Sequence, residues 1–109
     1  MDDLVHGLVG FMELAGGPAV DLTLLINGTL ITGTMVTGQE WLDACEAQYS
    51  QLTDLVQYLH IPINTGEHVH LKDVNIVEEG VPRPFGINGY ARIEVSTIDG
   101  SAFGIHPYG

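Results

Sequence analysis

The stretch Glu67-His68-Val69-His70 holds the residue types best suited to chemistry in this chain. Two imidazoles at i and i+2 on a strand point the same way and can share a zinc ion, with Glu67 or Asp73 as further donors. The spacing places no third ligand, so the pair reads first as an ordinary polar strand face. A small metal-binding protein using His68 and His70 is the alternative. No serine sits in a G-x-S-x-G context, and no G-x-x-x-x-G-K phosphate loop occurs. Cys45 is the single cysteine and falls on an apolar helix face without positive neighbours, where a thiol is a small hydrophobe. These patterns assign no catalytic residue and no cofactor.

The charge balance narrows the partners. The chain has 109 residues, 14 of them acidic and 3 basic, for a net charge of −11. Lys72, Arg83 and Arg92 are the three cations, and residues 1–71 have none. Such a chain repels nucleic acid and anionic membranes. Hydrophobic residues make up 45% and charged residues 16%, which predicts an ordered core. Mean hydropathy is +0.20, high for a small domain, and this predicts apolar surface buried between subunits of a homo-oligomer. No apolar run approaches the roughly 18 residues needed to span a bilayer. The opening MDDLVHGLVGFMELAGG lacks the basic start of a signal peptide, so a cytoplasmic location is expected.

The elements that must position these residues follow from periodicity. Leu4, Leu8, Phe11 and Met12 predict an amphipathic helix over 2–15, ended by Gly16, Gly17 and Pro18. Asn27-Gly28 predicts a two-residue hairpin turn. Its register sets Ile26 against Thr29, Leu24 against Ile31, Leu22 against Gly33 and Val20 against Met35, all on the core face. The opposite face pairs Asp21 with Thr34, Thr23 with Thr32 and Leu25 with Leu30. Thr37-Gly38-Gln39-Glu40 fits a capping box, and Trp41, Cys45, Leu52, Leu55, Val56 and Leu59 extend the helical pattern to His60.

A third strand is expected over Glu67–Val77, with a phase slip at Lys72-Asp73 that predicts a bulge or bend. EEGVPRPFGING reads as a loop. A fourth strand is expected over Tyr90–Ile98. A strict hairpin at Asp99-Gly100 would set Phe103 and Ile105 on the face of Glu94 and Ser96, so the last strand should leave and pair elsewhere, as when a barrel closes on its first strand. One domain over 1–109 is expected.

VDLTLLINGTLITGTM and IDGSAFGI resemble the two motifs of Sm-like (LSm) proteins. That resemblance implies an α+β fold: a strongly bent, five-stranded antiparallel Sm/SH3-like barrel, with an N-terminal helix and helix 39–60 inserted between strands 2 and 3. It also implies rings formed by edge pairing between neighbours. An Sm-like RNA-binding module is therefore an alternative function. Against it, Asp99 stands where the RNA-binding pattern has arginine, and the helix replaces the base-contacting loop.

LTLLINGTLITGTMVTGQEWLDA, EHVHLKDVNIV and GYARIEVSTIDGSAFGI together resemble the GvpU-like family of gas vesicle accessory proteins. The resemblance implies a non-enzymatic role in vesicle assembly or clustering through protein–protein contacts, with vesicle shell or accessory proteins as partners. The candidate interaction surface is the acidic helix face, Glu40, Asp43, Glu46 and Asp54, together with Thr23, Thr32 and Thr34 of the hairpin.

Overall fold

A computed structural model describes residue 7 and residues 20–49, 51–59 and 67–104. The helix expected over 2–15 and the helix end at His60 lie outside the described residues, apart from Gly7, which is helical and exposed. Six strands form one antiparallel sheet: β1 (Val20–Ile26), β2 (Thr29–Val36), β3 (His68–Glu78), β4 (Val81–Pro84), β5 (Ala91–Glu94) and β6 (Gly100–Phe103). The order is β4-β3-β2-β1-β6, and β5 pairs with the other half of β3's free edge. Two helices, α1 (Gly38–Glu46) and α2 (Leu52–Tyr58), separate β2 from β3.

The first hairpin has the expected register. Val20 pairs with Met35, Leu22 with Gly33, Leu24 with Ile31 and Ile26 with Thr29. Asn27 and Gly28 both adopt positive φ, 50° and 81°, as a type I′ turn demands. The phase slip in β3 is a bulge. Thr32 pairs with Asn75 but Thr34 with Lys72, so β3 carries one extra residue, and Asp73 takes it up at φ 52°. Gly33 lies opposite. A Cβ there would sit 3.0 Å from Leu71 Cβ and 3.2 Å from the Lys72 carbonyl, so the strands approach too closely for a side chain. The bulge returns Val74 and Ile76 to the face of Val69 and Leu71. That face forms the core with Leu22, Leu24, Ile31, Met35, Ala91, Val95 and Ile98.

The last strand does leave its neighbour. A 3-10 turn over Val95–Thr97 carries the chain from β5, on the edge of β3, to β6, on the edge of β1. Val95 and Ile98 are buried on the way, which draws this link over the core. The sheet is therefore curled, but it is one open sheet of six strands, not the expected five-stranded barrel. The turn also changes the phase: Thr97 is exposed and Ile98 is buried.

Two further expectations are corrected. EEGVPRPFGING holds strand β4, because its prolines alternate with Val81 and Arg83 on an edge strand. The Phe85 N–H donates to the Val74 carbonyl at 3.0 Å, so the odd-numbered residues face β3 and the Pro82 and Pro84 nitrogens face outward, where no ladder needs a donor. The long helix is broken into α1 and α2. A single helix of 22 residues would run about 33 Å, longer than two of the molecule's three principal extents, 43 × 28 × 25 Å. The break lets both segments bury a side, Leu42 and Cys45 in α1 and Val56 in α2.

Candidate functional site

Beyond the bulge, the N-terminal half of β3 carries His68, His70 and Lys72 on the face opposite the core. His70 pairs with Val36 of β2 and Arg92 of β5, and His68 pairs with Glu94. Helix α1 lies across this face. Thr37 starts it: its backbone is extended, and its Oγ1 accepts the Glu40 N–H at 3.1 Å. Trp41, one position on, sets its ring 5.2 Å from the His70 ring, tilted by 42°, and the Arg92 guanidinium stands 5.4 Å from the Trp41 ring centre. Arg92 Nη2 also lies 3.2 Å from His68 Nδ1.

The β4–β5 connection clamps the helix from the side. Asn88 and Gly89 make a second positive-φ turn (53° and 79°) between Ile87 and Tyr90. From it the Asn88 amide donates to the Ala44 carbonyl at 3.2 Å, and the Tyr90 hydroxyl donates to Glu40 Oε2 at 3.1 Å.

Burial sets the chemistry of this cluster. His70 is 2% exposed. Burial, then the charge of Arg92, then His68, hold its imidazole down to about 3, so it is neutral at physiological pH. His68 is lowered for the same first two reasons, partly offset by Glu94 and Glu67. Burial pushes the Cys45 thiol up, away from the thiolate a nucleophile needs. Burial, with the hydrogen bond to and the charge of Glu40, raises the Tyr90 phenol.

The histidines share a face as their spacing required, but a guanidinium beside His68 opposes a second cation there. Among the described residues, no three His, Cys, Asp or Glu side chains converge on a metal position. The cluster is a packed polar junction that holds α1 to the sheet.

The candidate interaction residues divide. Thr23 and Thr32 are buried at 7% and 1% exposure, so they do not form an outer surface. Thr23 Oγ1 donates to the Gly104 carbonyl at 2.9 Å, while Thr34, half-buried, donates to Asp21 Oδ1 at 2.7 Å. Glu40 is tied to Tyr90, and Asp43 accepts from the Gln39 amide at 2.9 Å. Glu46 is half-buried and Asp54 is exposed on α2.

Asp99 has a structural task. Its Oδ2 accepts the Asn27 N–H at 2.7 Å and its own N–H donates to the Leu25 carbonyl at 2.8 Å. Asp99 thus ties the last turn to the first hairpin.

Sequence reasoning assigned no part in a shared cluster to Trp41, Tyr90, Asn88 and Arg92. Asn88-Gly89 carried the same dipeptide signal as Asn27-Gly28, but only one bridge flanks it. No described helix is long and apolar enough to cross a membrane. Comparison with curated proteins and with solved structures gives no match. Comparison with protein families does: residues 2–106, nearly the whole chain, match the family described as gas vesicle protein GvpU-like. The chain belongs to the GvpU-like family of gas vesicle proteins.

Proposed function

We propose that this protein is a non-enzymatic, cytoplasmic accessory factor that assists gas vesicle assembly or clustering through contacts with other vesicle proteins. The observation that carries the reading is family membership over residues 2–106. The net charge of −11 supports protein partners over nucleic acid or anionic lipid. The exposed acidic positions Asp43 and Asp54 belong to the contact surface in this reading.

Self-association is part of the proposal, and the sheet edges constrain it. β4 offers a neighbour no outward N–H, because Pro82 and Pro84 occupy the outward positions. Edge pairing in a homo-oligomer or ring therefore falls to the β5 or β6 edges.

The test is deletion of the gene in a vesicle-producing host, with electron microscopy and flotation. The expected result is altered vesicle number, size or clustering, restored by the intact chain, and co-flotation of the protein with vesicles. Unchanged vesicles and a protein that stays with the sinking fraction would overturn the proposal.

A further inference from the structure

The C-terminal half of the sheet presents one unbroken cross-strand row on the face that α1 covers elsewhere. Gly100, Leu25, Leu30, Val77 and Pro82 are successive partners across β6, β1, β2, β3 and β4. Leu25 and Leu30 are 38% and 42% exposed, Pro82 is exposed and Val77 half-buried. Paired leucines are costly to leave in water on a sheet face, where they also invite association. Five strands at about 4.8 Å spacing make the row about 19 Å long, the length of a helix of about 13 residues.

The charge around the row is one-sided. Glu79 and Asp99, both exposed, flank it at the turns. Arg83 lies 3.6 Å from Glu78 and is offset by it. Lys72 and Arg92 belong to the other half of the sheet, beyond the bulge. A second copy would bring the same acidic rim, on a chain of −11, against itself. A partner with apolar side chains flanked by lysine or arginine would bury the leucines and neutralise the rim together.

We infer that the Leu25–Leu30–Val77–Pro82 row is a docking surface for a basic amphipathic helical segment of a partner protein. This concerns recognition chemistry and stands whether or not the partner is a vesicle protein. The deletion phenotype tests the vesicle role, and the experiment below tests the row.

The probe is a synthetic 14-residue amphipathic peptide of leucine and lysine, with a leucine and glutamate peptide of the same pattern as its counterpart. Each is titrated into the full-length ¹⁵N-labelled chain. The lysine peptide should shift the amides of Leu25, Leu30 and Val77. Its binding should weaken at least tenfold in the double variant Leu25→Thr/Leu30→Thr, and weaken with added salt. Leu55→Thr/Leu59→Thr, exposed on α2 and at its C-terminal cap, should bind as the parent does. The inference fails if the row variant binds equally, if the glutamate peptide binds as well, or if the shifts fall on α1 and α2 alone. It also fails if the row variant abolishes concentration-dependent sedimentation of the chain while the peptide leaves the row untouched, because a second copy is then the occupant. Should the double variant lose its circular dichroism, a spin-labelled lysine peptide on the parent chain gives the same decision through line broadening at Leu25 and Leu30.

Discussion

The two halves of β3 carry opposite logic on one sheet face. Under α1, a polar side chain is buried: His70 is 2% exposed. Beyond the bulge, apolar side chains are open: Leu25 and Leu30 are 38% and 42% exposed. Residue type alone would assign these environments the other way round. What separates them is where the helix lies. Trp41, Asn88 and Tyr90 hold α1 over the histidine half, and Asp73 marks the boundary. The covered half must satisfy its polar groups, whereas the open half is left with a surface that a partner can cover.

This contrast can be tested at its strongest point first. Trp41→Ala removes the ring against His70 and Arg92 and should cost about 3 kcal/mol in urea unfolding. It should also raise the His70 pKa toward 6.5 in an NMR titration, as water returns to the ring. A cost near zero with an unmoved titration would show that α1 does not create the covered half.

Gly33→Val attacks the boundary. Its Cβ would meet Leu71 Cβ and the Lys72 carbonyl, so about 2 kcal/mol of destabilisation is expected from chemical denaturation. The core-face strand contacts should suffer before the helix does. An unchanged midpoint would mean that the strands can separate at the bulge freely.

Acid tests the buried histidine directly. The folded pKa of His70 lies far below its ordinary value of 6.5, so the unfolded chain binds the proton more readily. The stability tied to neutral His70 is fully present above pH 6.5 and is lost as pH falls toward 3. The slope is at most about 1.4 kcal/mol per pH unit. His70→Leu should flatten this part of the profile, and an equally steep profile in that variant would assign the acid loss to other groups. The smallest effect belongs to the open half. Leu30→Thr should cost no more than about 1 kcal/mol in the same assay, since 42% of the residue is already exposed to water.

Much of the strand architecture was legible before the structure. The Asn27-Gly28 turn admits one register, and one residue of slip would have turned Leu22 and Leu24 to the other face. The phase change at Lys72-Asp73 announced the bulge, because alternation cannot change sides without an extra residue. The departure of β6 showed as a mismatch of faces around Asp99-Gly100.

Strand β4 was hidden by its prolines, which argue against a strand unless one knows that they face an open edge. The break between α1 and α2 was hidden as well. The apolar positions from Trp41 to Leu59 fit a continuous helix, and that periodicity does not mark the break. The five-stranded barrel failed for a related reason. Local patterning specified strongly bent strands and a traveling last strand, but not whether the two edges would join in one ladder.

The candidate site was legible as separate pieces. The i, i+2 spacing put His68 and His70 on one face, and Thr37-x-x-Glu40 placed the start of α1. Their meeting with Tyr90, Asn88 and Arg92 was not encoded locally. Tyr90 and Glu40 are 50 positions apart, and no periodicity reaches that far.

Turn chemistry, side-chain alternation and the −11 charge are local or additive properties, so they can be read from the order and number of residues. Burial is neither local nor additive. It depended on the placement of one nine-residue helix over half of a sheet face, and that placement covered His70 while it left Leu25 and Leu30 exposed.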